Sequence, residues 1–265
     1  MIPPDRIPTG TLWLFFVLAF GIAWGIFALF VAFPEPLTRL FGEPSASHPL
    51  FILAVYAPAL SAVGLILWHA GVTGLRGFLG RLLLWRLSWP WVLFLIFAVP
   101  AIFALGAVIS GKDPSLVAGV GLAALAFMLV LGPVEEFGWR GMALPLLQRR
   151  MAPLWAGMLL GLIWGVWHLP AFFLGGTPQS AWNFTPFLIG TTALSVILTP
   201  LFNAAKGSLL WAALFHFQIN NPLWPDAQPW DTAVFVVAAL VVVLLNRDTM
   251  FRRSPMIEVI PSNTT

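Results

Sequence analysis

Runs of apolar residues recur along this chain, and the short segments between them hold most of its charged residues. Each run is about 20 residues long, the length that a helix needs to cross the hydrocarbon core of a bilayer. The pattern therefore predicts an all-α fold, a polytopic membrane bundle of about eight transmembrane helices. The predicted spans cover residues 11–33, 50–72, 90–110, 116–148, 153–174, 184–205, 207–223 and 232–245.

Composition supports a membrane protein over a soluble one. The 265 residues have a mean hydropathy of +0.92 and only 9% are charged, whereas a soluble domain carries about 25% charged residues. We expect a single membrane-embedded domain over residues 1–253, with its motif-bearing core at 116–223, and a flexible polar tail at 254–265. The absence of cysteine excludes disulfides, thiolate metal sites and cysteine nucleophiles.

Basic residues are distributed unevenly between the two sides that eight spans define. Of the 13 Lys and Arg residues, only Arg39 and Lys112 fall on the side away from the termini. The positive-inside rule therefore predicts cytoplasmic termini, in a multi-pass protein of a bacterial inner membrane. Because topology accounts for the basic charge, no nucleic-acid partner is expected. The arginine-rich segment 75–89 predicts either a basic amphipathic helix on the inner membrane surface or a plain connector.

Ionisable side chains inside the predicted spans are few, and such groups are functional candidates by default. Only Glu135 and Glu136, of ten acidic residues, lie deep in apolar sequence. At about 100° per residue, Glu136 and Arg140 share a helix face and are spaced for an ion pair, whereas Glu135 points about 140° away from Arg140. Glu135 is thus predicted to lack an intrahelical partner, which suits a general base. The alternative is that both glutamates only form a structural network with Arg140. The preceding Gly132 and Pro133 predict a kink or restart of this helix.

Two histidines also lie in predicted spans. His216 and Asn220 are four residues apart and share a face, so an imidazole and a carboxamide can converge on one point. In the predicted topology these two residues, Glu135 and His168 lie within about two helical turns of one depth. A lone buried histidine is more often a satisfied core residue. Two of them beside a glutamate at one depth favour a shared site.

Three short motifs resemble those of a known family. EEFGWR (residues 135–140) resembles the EExxxR motif of the CPBP family, which contains the type II CAAX prenyl endopeptidases and the Abi proteins linked to bacteriocin self-immunity. WGVWH (164–168) resembles its FxxxH motif, with tryptophan in place of phenylalanine, and HFQIN (216–220) resembles its final His and Asn. The resemblance covers residues 135–221, while the earlier helices match only in hydropathy.

The resemblance implies an intramembrane protease whose conical cavity opens to the cytoplasm, between the fourth, fifth and seventh helices. Carried over by motif, the implied catalytic residues are Glu135, His168, His216 and Asn220. The glutamate would activate the attacking water with help from the first histidine, and the second histidine and the asparagine would stabilise the oxyanion. Glu136 and Arg140 would orient the site.

The sequence leaves open whether a metal cofactor takes part in this chemistry. One glutamate and two histidines make an acceptable zinc set, so Glu135, His168 and His216 are candidate Zn²⁺ ligands of a metalloprotease. The same residues would equally serve metal-free acid–base catalysis with an oxyanion donor. Both mechanisms stay open at this stage.

The predicted function is intramembrane cleavage of a peptide bond in a membrane-associated peptide or lipidated protein, as in CAAX prenyl proteases. Two other functions use the same residues. Glutamate and histidine inside spans also build the proton relays of coupled transporters, although no repeat symmetry of the kind found in transporters is visible here. A non-catalytic immunity or scaffold protein would use the fold for binding alone.

Overall fold

The structure is a computed structural model and describes residues 7–253 and 257–261. Within these two ranges the regular structure is helical and contains no strand. The helices are α1 (Thr11–Ala32), α2 (Pro34–Phe41), α3 (Pro49–Leu83), α4 (Trp89–Ile109), α5 (Leu122–Gln148), α6 (Pro153–Phe173), α7 (Phe184–Ala204), α8 (Leu209–Ile219), α9 (Trp230–Leu245) and α10 (Arg247–Met250), with a short 3₁₀ turn at Pro178–Ala181. Several of these helices contain 3₁₀ or π turns.

The helices confirm the predicted fold class. Six of them, α1 and α3 to α7, are long and apolar enough to cross a membrane, and α8 and α9 are shorter apolar helices. Large apolar side chains face outwards: Trp13, Leu122 and Leu245 are 72%, 84% and 79% exposed. A soluble protein would not leave so much apolar surface in water. The chain is therefore a multi-pass integral membrane protein.

One set of the segments that connect the helices lies at one end of the bundle, where hydrogen bonds join them. Arg149 at the end of α5 donates from Nη1 to the carbonyl of Ile7 at 2.6 Å, and Arg253 donates from Nε to the carbonyl of Arg149 at 3.2 Å. Trp211 near the start of α8 donates to the carbonyl of Trp85 at 3.0 Å. We call this end the basic face. It comprises residues 7–10, 84–88, 149–152, 205–208, 246–253 and 257–261.

The remaining connections meet at the opposite end. Lys112 Nζ donates to the carbonyl of Asp226 at 2.8 Å, and the Val117 amide donates to the carbonyl of Leu223 at 2.9 Å. We call this end the loop face. It comprises residues 33–48, 110–121, 174–183 and 220–229.

Arg81 is the buried anchor of the basic face. It is 1% exposed and donates to the carbonyls of Gly207, Gly141 and Val259 at 2.8, 2.8 and 3.0 Å. The segment 75–89 is helical up to Leu83, after a break in α3 at Gly71 (φ 59°, ψ −163°), and its position on the membrane surface stays a prediction. An irregular connection over residues 84–88 follows, and the Arg81 side chain turns inwards to the three carbonyls it contacts.

Part of the predicted polar tail is packed. Residues 254–256 and 262–265 lie outside the described residues, so the prediction there is not addressed. In the described part, Val259 and Ile260 are buried in the hydrophobic core, and Glu258 forms an ion pair with Arg149. Residues 257–261 therefore belong to the packed domain.

A stripe of glycines brings α6 and α7 close together. Gly157, Gly161 and Gly165 are spaced one turn apart along α6 and face α7. A Cβ atom on Gly161 would lie 2.6 Å from the Cα atom of Thr192. Small residues at this spacing allow membrane helices to pack backbone against backbone. This contact holds α6, and with it His168, in place.

Candidate active site

The helix α5 is interrupted where it enters the site. After Gly132 the chain forms a 3₁₀ turn over Pro133–Glu135, then a single α turn, and then a π turn over Trp139–Ala143. Pro133 has no amide hydrogen to continue the α-helical ladder. The break predicted at Gly132 and Pro133 is confirmed, and π turns of this kind are frequent at functional sites.

Glu136 is the centre of a buried charged cluster. Its Oε1 atom accepts from Arg140 Nη1 at 3.1 Å and from His216 Nδ1 at 2.6 Å, and the three residues are no more than 2% exposed. The predicted pair of Glu136 and Arg140 is confirmed. The Arg140 guanidinium also lies 4.7 Å from the ring centroid of Trp164, a cation–π contact that adds to the compensation of its charge.

Glu135 has different partners. Its Oε2 atom accepts from the indole nitrogens of Trp164 at 2.8 Å and of Trp139 at 3.4 Å. The prediction that Glu135 lacks an intrahelical partner is wrong, because Trp139 lies one turn ahead on the same helix. Both donors are uncharged, so they orient the carboxylate without neutralising it. The side chain is 3% exposed and borders a cavity.

His168 faces Glu135 from α6. Its Nδ1 atom lies 2.9 Å from the Trp164 carbonyl, which can only accept, so Nδ1 carries a proton and Nε2 faces the carboxylate. The separation between His168 Nε2 and Glu135 Oε2 is 4.0 Å. The rings of Trp167 and Phe187 lie 4.8 and 5.1 Å away and fix the imidazole plane.

His216 and Asn220 converge on Gly132. The helix α8 ends at Ile219, and Asn220 is its C-terminal cap. A Cβ atom on Gly132 would lie 2.4 Å from Asn220 Nδ2 and 2.9 Å from His216 Nε2. Only glycine allows both side chains to approach the backbone this closely. The predicted convergence of the imidazole and the carboxamide is confirmed.

The predicted catalytic residues border one cavity of about 410 Å³. Its lining includes Glu135, His168, His216 and Asn220. Neither Glu136 nor Arg140 is among the lining residues. These two contact His216 and Trp164 from behind the wall. Most of the remaining wall is apolar, and α1, α3, α4, α7 and α9 contribute to it in addition to the three predicted helices.

The cavity extends to the loop face. Ala46, Gln179, Trp182, Trp224 and Gln228 line it, and all come from connections of that face. Among the described residues, none from the connections of the basic face lines it. The two expectations of cytoplasmic termini and a cytoplasmic mouth are therefore incompatible, because residues 7 and 257–261 lie at the opposite end from the mouth.

The proposed zinc ligands do not form a metal-holding group in this arrangement. Over residues 7–253 and 257–261, no set of three or more His, Asp or Glu side chains is close enough to hold a metal ion. Glu135 is 4.0 Å from His168 and accepts from two indoles, while the Nδ1 atom of His216 is committed to Glu136. Zinc binding stays a prediction, which metal analysis of the purified protein tests.

Sequence reasoning missed two supporting residues. Trp139 is four residues after Glu135, the same spacing that identified Arg140 as a partner of Glu136, so the signal was present. Trp164 was recognised only as the first residue of the WGVWH motif, although its indole donates to Glu135 and its carbonyl accepts from His168. That double role depends on how α5 and α6 are rotated against each other, which spacing on one helix does not reveal.

Comparison with known proteins supports the family resemblance. Residues 117–221 match the family model described as Type II CAAX prenyl endopeptidase Rce1-like. The chain is similar to type II CAAX prenyl endopeptidases. This confirms the resemblance drawn from the three motifs, since the Rce1-like segment contains all of them. The chain is also 28% identical over 140 residues to CAAX prenyl protease 2 of Methanococcus maripaludis, an alignment that covers 49% of this chain and 52% of that protein. The chain thus spans about half the length of the curated relative it matches.

Proposed function

We propose that the chain is an intramembrane endopeptidase that hydrolyses a peptide bond of a membrane-associated substrate. The observation that supports it most is the convergence of four polar groups on one largely apolar cavity. They supply a carboxylate, an imidazole facing it, and a second imidazole and a carboxamide close to one backbone position. A base and hydrogen-bond donors around one point are what acyl transfer to water requires.

The proposed reaction begins with a water between Glu135 and His168. Their 4.0 Å separation is too long for a direct hydrogen bond and suits a bridging water. Glu135 takes a proton from this water, and the water oxygen attacks the scissile carbonyl carbon. The new C–O bond makes a tetrahedral oxyanion. The C–N bond then breaks, and the proton held by the glutamate passes to the departing amine, with His168 in position to relay it.

The oxyanion would be held by His216 and Asn220. The carboxamide donates through Nδ2 and the imidazole through Nε2, because the Nδ1 atom of His216 already contacts Glu136. Glu136 and Arg140 act in this scheme as positioning residues. They hold the ring plane and do not touch the substrate.

The substrate proposed for this site is an apolar or lipid-bearing polypeptide. The cavity wall includes Phe27, Phe30, Phe51, Phe103 and Trp224, which offer an apolar chain a surface to bind. The relative named CAAX prenyl protease 2 makes a prenylated C-terminal peptide the first candidate.

A cleavage assay tests the proposal. The protein purified in a bilayer mimic is incubated with an internally quenched farnesylated CAAX peptide, and the product mass identifies the bond that is cut. We expect cleavage by the wild type and loss of at least about 100-fold in Glu135→Ala and His168→Ala. Glu35→Ala is the matched control, since Glu35 is an exposed residue of α2 that does not line the cavity. Full cleavage by the first two variants would end the assignment.

A further inference from the structure

The helices that line the cavity show towards which end of the bundle it leads. The residues contributed by α1 lie in its second half, whereas those contributed by α3, α7 and α9 lie in their first halves. All of these segments adjoin the loop face. The cavity therefore leads from Glu135 to the loop face and away from the basic face.

The basic residues give the two faces opposite character. Arg140 is fully buried beside Glu136 and belongs to neither face, and Arg6 lies outside the described residues. Those at or adjoining the basic face are Arg76, Arg81, Arg86, Arg149, Arg150, Lys206, Arg247, Arg252 and Arg253. Those on the loop face are Arg39 and Lys112, among the exposed acidic residues Glu35, Glu43, Asp113 and Asp226. An excess of Lys and Arg in short connections marks the cytoplasmic side of a membrane protein.

From these two observations we infer that the cavity opens to the extracytoplasmic side of the membrane. The substrate is then a membrane-associated polypeptide whose scissile bond is exposed on that side. The statement about the substrate rests on the proposed function, whereas the statement about the cavity rests only on the fold and the charges. A protein that is lipidated and retained in the cytoplasm would not reach Glu135 by this route, so on this inference the prenylated peptide is a probe of the cleavage reaction and the cellular substrate lies on the other side of the membrane.

The irregular backbone of the loop face agrees with a wet entrance. The helix α8 is only 11 residues long, about 16 Å at 1.5 Å per residue, and so covers about half of a 30 Å hydrocarbon core. The non-helical segment 220–229 continues from it and lines the cavity. Backbone of this kind is tolerated at membrane depth only against protein or water. The cavity leads to this face, so water for hydrolysis would enter by the same opening as the substrate.

Single cysteines report the orientation, because the chain has none of its own. Ala118→Cys places an exposed thiol on the loop face and Thr249→Cys places one on the basic face. Intact bacterial cells that express each full-length variant are treated with a membrane-impermeant maleimide. We expect Ala118→Cys to be labelled and Thr249→Cys to be labelled only after permeabilisation. Labelling of Thr249→Cys in intact cells, or protection of Ala118→Cys, would overturn the inference.

A second measurement separates the orientation from the activity. A lipidated, charged fluorogenic peptide that does not cross the bilayer is added to right-side-out and to inverted membrane vesicles that contain the protein. Cleavage at least about tenfold faster in right-side-out vesicles is expected, and faster cleavage in inverted vesicles would contradict the inferred substrate side. The maleimide pattern should be the same in Glu135→Gln. An expected labelling pattern without any cleavage would therefore overturn the proposed function and leave the orientation intact.

Discussion

The two adjacent glutamates on α5 have different partners, and each partner lies one helical turn ahead. Glu136 pairs with Arg140 and Glu135 accepts from Trp139, each four residues ahead. Helix geometry predicted the first contact from sequence and could have predicted the second. The contact between Glu136 and His216 was beyond prediction, because it joins two helices whose relative rotation depends on packing along their whole length.

Gly132 is the residue whose size the site depends on most directly. In Gly132→Ala the new methyl group would meet Asn220 Nδ2 and His216 Nε2, which are ends of side chains that can move into the cavity. We expect the fold to survive and cleavage to fall at least about tenfold, since small displacements of catalytic groups are costly. Peptide cleavage and thermal unfolding of the purified variant check this.

The control for that variant is Gly64→Ala, because a Cβ atom on Gly64 in α3 would meet nothing within 4 Å. It should retain full cleavage. Undiminished activity in Gly132→Ala would argue against an oxyanion site formed by His216 and Asn220.

At the scale of elements, sequence periodicity predicted the spans closely and their interruptions less well. The predicted runs 90–110 and 184–205 correspond to α4 (Trp89–Ile109) and α7 (Phe184–Ala204). The run 207–223 is wrong at its end, because α8 stops at Ile219. Hydropathy continues through Leu223 and cannot distinguish an apolar helix from an apolar segment that unwinds to line a cavity.

The glycine stripe of α6 yields a prediction about helix packing. In Gly161→Ala the added Cβ atom would lie 2.6 Å from Thr192 Cα and 2.8 Å from Ser195 Cβ, so α6 and α7 must separate. We expect a loss of about 1–3 kcal/mol in the free energy of unfolding, typical of overpacking. Equilibrium unfolding in mixed detergent measures it. Gly25→Ala in α1, whose Cβ would meet nothing within 4 Å, should not be destabilised. Equal stabilities of the two variants would show that the interface has room.

At the scale of the whole molecule, composition predicted a membrane protein and the motifs predicted where its site lies. The assembly of the basic face was not predicted. Arg81 reads in sequence as one of several surface arginines, yet its three carbonyl partners come from segments 60, 126 and 178 residues away. Contacts of such long range leave no local pattern, and for that reason the inward direction of the Arg81 side chain was not predicted.

Removal of the Arg81 side chain tests this anchor. Arg81→Ala leaves the carbonyls of Gly207, Gly141 and Val259 without these donors, at a cost of about 3 kcal/mol or more in the free energy of unfolding. Arg86→Ala is the matched control, since Arg86 is exposed and contacts only the Trp85 ring among the described interactions. It should cost about 1 kcal/mol or less. Similar losses in the two variants would contradict the anchoring role.

The most direct test of the central claim is the turnover of Glu135→Gln. Glutamine keeps the shape of the side chain and can still accept from Trp164 and Trp139, but it cannot take a proton from water. The substrate is a lipidated peptide that the wild type cleaves, supplied at saturating concentration. The account predicts that kcat falls at least about 100-fold while the unfolding temperature is unchanged. A Glu135→Gln variant that turns over at the wild-type rate would contradict the account.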